Sequence, residues 1–509
     1  MSGAAQDRCY WTETARAAPA HPALSGDVTA DVAVIGGGIV GVVAARLLKD
    51  RGLKVAVIEA GRAGHAVTGR STAKVTAQHS LFLQRIEDQH GRDAARIYAE
   101  ANRSGVALIG ELVRRHSLDC DFEPAESFVY ASSPEGVEKL EAERAAAERA
   151  GLAMEIVGEA GLPYPIAAAL RLSDQAQFQP ADFVAGLAAT IPGEGSFVFE
   201  NSRATDWDET SVTTDGGKVT ARQVIMATHL PLGQVGMFYA HTHPHMHAIM
   251  AVPVQAARAP AGMYINVDQP KRSIRRHRSA GGETVLILTG PTFKHGKPDE
   301  EAQAFAELEA FARDHFGWTG GGWRWSNEDY APRDGLPYVG WSGAAGSSLL
   351  VATGFDAWGL SNGGAAGQAL ADLCEGRENA WADCFDASRH SLKGLGKMAK
   401  DQAEVASDLI GGHLRSYPDA GDATPLAEGD IVKIDGTKAG IYQGAGGQLQ
   451  AVSVACTHMG CALGWNPVDR TWDCPCHGSR FAADGRVMHG PAVAPLEPVA
   501  LAPELEETG

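Results

Sequence analysis

The sequence predicts an α/β chain that ends in a small all-β domain. Three observations carry that expectation. A short apolar strand, Asp31 to Ile35, runs into Gly36-Gly-Gly38-Ile-Val-Gly41, a helical stretch with Ala44, Leu47 and Leu48, and a second apolar strand, Val55 to Ile58. Towards the C-terminus, short strand-like runs alternate with glycine turns, as in Ile431-Val-Lys-Ile434 and Ala439-Gly-Ile-Tyr442. Between the two regions lies a turn-rich break, Ser416-Tyr-Pro-Asp-Ala-Gly-Asp422. At 509 residues the chain has room for roughly two to four domains.

The first region has the strand, glycine turn, helix, strand and acid of a dinucleotide-binding βαβ unit. Gly36 permits the tight turn, Gly38 lets a pyrophosphate approach the backbone, and Gly41 allows the helix to pack closely on the strand. The helix opening at Ile39 offers free N–H groups to phosphate oxygens. Glu59, with Ala60 behind it, is placed for a ribose hydroxyl. Further on come Gly69-Arg-Ser-Thr72, a strand Gln223-Val-Ile-Met-Ala-Thr228, and Val351-Ala-Thr353-Gly354-Phe355 followed by Gly359-Leu-Ser361. Together these segments resemble the FAD-dependent amine and amino-acid oxidase superfamily, which includes glycine oxidase and sarcosine oxidase.

That resemblance implies a Rossmann-like FAD-binding domain (about residues 30–110, 175–232 and 330–390) interleaved with a substrate domain on an antiparallel sheet (about 111–174 and 233–329). Residues 1–29 are expected to be an N-terminal extension. It implies FAD contacts from Gly36, Gly38, Ile39, Gly41, Glu59, Ala60, Gly69, Arg70, Ser71, Thr72, Thr353, Gly354, Gly359, Leu360 and Ser361. The helix beginning near Gly359 would aim its positive end at the flavin. His229 departs from the pattern, standing where glycine is commoner. No second glycine motif of this kind follows, so a nicotinamide site is not expected. Residues from His90 to Ala150 read as helix-rich, and Val212 to Val224 as a hairpin around Asp215-Gly-Gly217 leading into a strand.

The C-terminal region carries Cys456-Thr-His458-Met-Gly-Cys461 and Cys474-Pro-Cys476-His477-Gly-Ser479. Structural zinc sites use paired C-x-x-C boxes, and tetrahedral zinc has no need of an extra cysteine in each box. The two boxes resemble Rieske [2Fe–2S] domains, those of cytochrome bc-type complexes above all. The resemblance implies that Cys456 and Cys474 ligate one iron, His458 and His477 the other, and that Cys461 and Cys476 form a disulfide between the loops. It also makes Ser479 a hydrogen-bond donor to the cluster. Phe481 replaces the tyrosine of the respiratory proteins, which removes one hydrogen bond to a ligand sulfur and lowers the expected potential. The expected Rieske domain covers 423–509, after a linker with a helix at 391–422. The remaining cysteines, Cys9, Cys120, Cys374 and Cys384, lack ligand spacing.

Candidates for the chemistry are fewer. His241, His243, His245 and His247 alternate, so in a strand they share one side, as acid/base groups, a metal site, or a half-exposed face. His245, His247, Lys74 and Arg333 are the candidate catalytic residues. The run Lys271-Arg-Ser-Ile-Arg275-Arg-His-Arg278 is either a solvated face or a source of arginines for an anionic substrate. Trp358 either stacks at the flavin or fills core.

The combination implies a flavoenzyme that oxidises a small amine, amino acid or hydroxy compound and passes single electrons through the cluster to an acceptor protein. The alternatives are an electron-transfer module that binds no metabolite, and a reductase running inward. A chain ending near Tyr417 is expected to hold FAD by itself. A net charge of −18 and a pI near 5.4 exclude bulk nucleic-acid binding. No apolar run reaches a membrane span, and no apolar leader opens the chain, so a cytoplasmic location is expected.

Overall fold

Val32–Ile35 and Val55–Ile58 are four-residue strands buried at every position, and they pair in parallel, as continuous β-branched runs do when both faces are covered. In the computed structural model, which describes residues 5–279, 281–343, 349–389, 415–422, 425–444 and 446–501, they form the middle of a six-stranded sheet. Its order is Tyr338–Trp341, Leu349–Thr353, Gln223–Met226, Val32–Ile35, Val55–Ile58 and Phe197–Phe199, parallel except for the first pair. The helix Ile39–Asp50 packs against Ser361–Cys374, which in turn packs on Arg92–His116.

The turn between the first strand and its helix is fixed by two glycines. Gly36 has φ +108°, and a Cβ there would press on the Ala227 carbonyl; a Cβ on Gly41 would run into the carbonyl of Gly36.

The second layer is a ten-stranded, largely antiparallel sheet. Its central strands are Trp323–Pro332, Thr242–Pro253, Thr284–Phe293 and Ser273–Arg278, with Glu123–Ala131 and Ala168–Gln177 further along. Two features depart from the sequence reading. The helix-rich segment is interrupted by the strand Glu123–Ala131, which lies between the helices Arg92–His116 and Pro134–Arg149. Its alternation is weak, because its first half is exposed and its second half wholly buried. The N-terminal residues are woven into the body rather than appended. Gln6–Asp7 pairs with the sheet, Tyr10 and Trp11 are fully buried, and Trp11 Nε1 donates to the Ser71 carbonyl at 2.8 Å.

The C-terminal region is all β, built of two four-stranded antiparallel sheets. One is Ile431–Ile434, Thr437–Gln443, Leu449–Ser453 and Pro498–Val499; the other is Gly464–Asn466, Thr471–Asp473, Arg480–Ala482 and Val487–His489. Most of the expected linker, including its helix, lies outside the described residues. No described helix is long and apolar enough to cross a membrane.

Candidate functional site: a dinucleotide cavity against a cysteine–histidine centre

The two cysteine–histidine boxes fold into facing turns. Gly460 N–H donates to the Cys456 carbonyl at 2.8 Å, and Gly478 N–H to the Cys474 carbonyl at 3.1 Å. Cys461 and Cys476 are joined as a disulfide that clamps the turns together. Cys456 and Cys474 are buried free thiols, and the His458 and His477 rings lie 5.2 Å apart. Nδ1 of His477 is buried with no hydrogen-bond partner. Two thiols and two imidazoles around an unsatisfied ring nitrogen fit a Rieske [2Fe–2S] cluster. The Ser479 hydroxyl accepts from Ala492 N–H at 3.2 Å and hydrogen-bonds the Cys456 sulfur. Phe481 is fully buried beside them.

This centre is packed onto the flavin-type domain. Tyr239 sets its ring edge-on to both His458 (4.6 Å) and His477 (5.0 Å), and its hydroxyl donates to Gln234 Oε1 at 2.7 Å. Gln234 Nε2 meets His458 Nε2 at 3.3 Å. The Tyr330 hydroxyl donates to the Gly478 carbonyl at 3.2 Å. Gly478, at φ +74°, is needed there: a Cβ would come within 2.6 Å of Tyr330 Oη and 2.9 Å of Pro244. Arg70 pairs with Asp469 at 2.5 Å, and Asp469 pairs in turn with Arg480 at 2.8 Å. Burial pushes the Asp469 carboxyl up, but Arg70 and Arg480 outweigh it and hold the group below its usual range.

A cavity of about 640 Å³ opens at the Gly36–Gly38 turn. Its walls include Ile39, Glu59, Ala60, Thr68, Arg70, Ser71, Thr72, Lys74, Gly359 and Leu360. Glu59 Oε2 accepts from Gly37 N–H at 2.7 Å and Oε1 from Gly61 N–H at 2.8 Å. Among the described lining residues, eight are Arg or Lys and three are Asp or Glu, a local positive excess in a chain of net charge −18. His229 and His247 line the cavity, and each has a buried Nε2 without a partner. An anionic dinucleotide with a polar ring system suits this surface, so the residues fit FAD.

Lys74 and His247 are the ionisable candidates that reach the cavity. Lys74 Nζ donates to Thr72 Oγ1 at 3.2 Å and to Ser273 Oγ; burial, then the charge of Arg275, lowers it to about 7. His247 is lowered to about 3 by burial, then by His245 and Lys74, so it is a neutral imidazole at physiological pH. Asp329 also lines the cavity; burial, then the Asp356 carboxylate, raises it to about 8. It still accepts from Ala357 N–H at 2.6 Å and Tyr330 N–H at 2.8 Å.

Several sequence expectations are corrected. His241 ends the short helix Phe238–His241, and only His243, His245 and His247 share a strand face. The His245 ring sits 4.9 Å from His247 but does not line the cavity. Among the described residues, these histidines do not bring three ligand atoms within 4.8 Å of one another. Arg333 also lies off the cavity, its Nε donating to the Ala240 carbonyl at 2.7 Å.

The basic run is not a solvated face. Arg275 is fully buried, donating to the Ala73 (2.7 Å) and Phe178 (3.1 Å) carbonyls, while Lys271 and Arg272 line the cavity. Of the expected FAD contacts, Gly41, Gly69, Thr353, Gly354 and Ser361 stand behind the wall. Gly41 and Gly69 allow close backbone approaches, Thr353 Oγ1 donates to the His229 carbonyl at 2.6 Å, and Ser361 Oγ meets His79 Nε2 at 2.9 Å. Trp358 lines the cavity and stacks on His79 at 4.5 Å.

Residues that the sequence did not flag complete the wall: Arg203, Asn327, Asp329 and, from the C-terminal domain, Asp469, Arg480, Arg486 and His489. No local motif marks them, because long-range packing brings them there. His229 did carry a signal. It holds φ +69°, which explains why glycine is commoner at that position.

The comparisons agree with this geometry. Residues 31–373 match the family model described as FAD dependent oxidoreductase, and 419–500 match the Rieske [2Fe-2S] domain. The protein YhfW of Bacillus subtilis (strain 168), named as a Rieske 2Fe-2S iron-sulfur protein, is 33% identical over 500 residues, 97% of each chain. Gamma-glutamylputrescine oxidoreductase of Escherichia coli (strain K12) is 30% identical over 233 residues, 44% of this chain and 54% of that one. The solved glycine oxidase from Geobacillus kaustophilus has the same fold over 72% of this chain and all of its own, with a TM-score of 0.57 at 21% identity. The chain belongs to the FAD dependent oxidoreductase family and carries a Rieske [2Fe–2S] domain at its C-terminal end.

Proposed function

We propose that this flavin-dependent oxidoreductase oxidises a small amine or amino acid and delivers the electrons one at a time, through the Rieske centre, to an acceptor protein. One observation carries the reading: Tyr330 touches both sites at once. Its ring packs edge-on at 4.9 Å against His229, which lines the cavity, and its hydroxyl donates to the Gly478 carbonyl, next to the cluster ligand His477. FAD, when bound, accepts two electrons and releases them singly, which suits a one-electron cluster. The relatives support the substrate class, since one is an oxidoreductase of gamma-glutamylputrescine and another a glycine oxidase.

In this reading the chain's own residues divide the labour. Lys271 and Arg272 give the cavity a cationic edge that orients a substrate carboxylate, and Thr289 and Asn327 add polar contacts. Lys74, held near neutrality, takes the amine proton as the substrate reacts, and His247 presents a neutral ring that accepts or donates at Nε2. The Trp358 indole, stacked on His79, shields the inner wall from water. We place the protein in the cytoplasm, with its electron partner a soluble one-electron acceptor.

The test is anaerobic mixing of the holoprotein with a panel of amines and amino acids. Flavin bleaching should precede growth of the reduced-cluster EPR signal. Bleaching that leaves the cluster oxidised would refute the relay, and the absence of bleaching across the panel would refute the substrate class.

A further inference from the structure

We propose that the Rieske domain is an integral part of the FAD-binding site: its strands Arg480–Ala482 and Val487–His489, with Arg486 before the second, form one wall of the dinucleotide cavity, so FAD affinity and domain docking are coupled. The inference rests on FAD occupying the cavity and goes beyond the electron relay, which gives the domain no part in binding.

Four lines lead to it. The cavity that opens at the glycine turn is also lined by Arg480, Arg486, Met488 and His489. Two of its eight basic residues therefore belong to the Rieske domain. Arg203, from the flavin-type domain, and Arg486, from the Rieske domain, line the same cavity with Glu59; burial, and to a lesser degree the charge of Arg486, lowers the Arg203 pKa. Arg486 itself is exposed, and its Nε donates to the Asp484 carboxylate at 2.7 Å. Its guanidinium has five N–H donors in a rigid fork, so it can also meet a phosphate of FAD.

The same wall is anchored rigidly. Asp469 bridges Arg70, in the cavity's own loop, to Arg480, and His489 Nδ1 lies 3.6 Å from the buried Glu328 carboxylate. Asn466 Nδ2 donates to Glu301 Oε1 at 3.0 Å, and Gly233 N–H donates to the Pro491 carbonyl at 3.0 Å. The wall cannot withdraw from the cavity without breaking these contacts. By linkage, whatever factor docking adds to FAD affinity, FAD adds to docking. The coupling runs against the expectation that a chain ending near Tyr417 holds FAD by itself.

Two measurements on the full-length protein test the coupling, and neither uses substrate or acceptor. In Arg486→Glu, the dissociation constant of FAD, read by flavin fluorescence on reconstituting the apoprotein, should rise by about tenfold or more. The Rieske EPR signal per chain should match wild type. Should that variant fail to fold, hydrogen exchange on the wild type decides. FAD should slow exchange of the Val487–His489 amides by about tenfold relative to apoprotein that still holds its cluster. A dissociation constant within twofold of wild type in a cluster-loaded variant would overturn the proposal, as would equal amide protection with and without FAD. Neither readout depends on electron transfer, so both expected changes would still be seen if the relay failed.

Discussion

Replacing Asp469 by asparagine keeps the shape of the side chain and removes the charge that joins the two domains. The carboxylate bridges Arg70 at 2.5 Å and Arg480 at 2.8 Å, and its side chain is 8% exposed. Removing one partner of a buried ion pair costs about 3–5 kcal/mol. The lower end applies here, because Arg480 keeps Asp473 at 3.0 Å and Arg70 keeps the Ser326 carbonyl at 2.9 Å. The effect on melting depends on what unfolds. At about 2.1 cal/mol/K per residue, a chain of 509 residues melting as one unit has an unfolding entropy near 1 kcal/mol/K, so a loss of about 3 kcal/mol lowers Tm by roughly 3 °C.

A Rieske domain of roughly 80 residues melting alone would fall by about 18 °C. The buried interface favours the first outcome. Calorimetry with the cluster absorbance followed in parallel should show one transition, about 3 °C lower, with flavin and cluster lost together. A shift under about 1 °C would refute the buried network, and an early transition of the cluster alone would refute the coupling. The pH dependence has a definite sign. Because the folded pKa of Asp469 is depressed, its stabilisation is complete above the ordinary carboxylate range, near pH 4, and is lost as pH falls through the lower folded value. The gap between wild type and Asp469→Asn should therefore close in acid.

Two further predictions concern chemistry. With Lys74 lowered to about 7, the rate of flavin reduction by substrate should rise with pH through a limb near 7, which Lys74→Met abolishes; stopped-flow rates across pH check this, and an unchanged limb near 7 removes Lys74 from the proton transfer. At the cluster, Ser479→Ala removes the hydroxyl bonded to the Cys456 sulfur, and a hydrogen bond of about 1 kcal/mol corresponds to roughly 40 mV, so the potential should fall by that order; Phe481→Tyr should raise it, and voltammetry with either sign reversed would show that these hydroxyls do not act on the cluster sulfurs.

What could be read from the chain, and what could not, divides by range. Gly36, Gly41 and the cysteine–histidine boxes are legible because each function is met within a few residues: a turn, a close helix approach, a pair of ligands two or three positions apart. Glu59 is legible at one remove, since a βαβ unit has a fixed length. For Arg275 charge alone leaves a solvated face and an anion site both open, and the structure gives a third answer, burying it with two carbonyl acceptors and the face of Trp11. Arg333 was misread because a conspicuous loop motif says nothing about which way its side chain turns. Asp329, Arg203 and His489 had no local signature at all; their roles exist only once a sheet, a loop and a second domain have met.

Arg70 shows why the two halves of this chain are hard to consider apart. Its neighbours Ser71 and Thr72 line the cavity, and its own backbone carbonyl accepts from Trp325 Nε1 at 2.8 Å, which fixes the loop on the antiparallel sheet. Its side chain lines the cavity and also bonds the Ser326 carbonyl and the Rieske-domain carboxylate of Asp469. A guanidinium has five N–H donors in a rigid fork, enough to face an anion on one side and a carboxylate on the other; lysine, a point charge on a flexible stem, would serve one of these at a time. The residue that a sequence motif assigns to the cofactor is thus also the one that fastens the electron-transfer domain over it, and a change there must be felt in both.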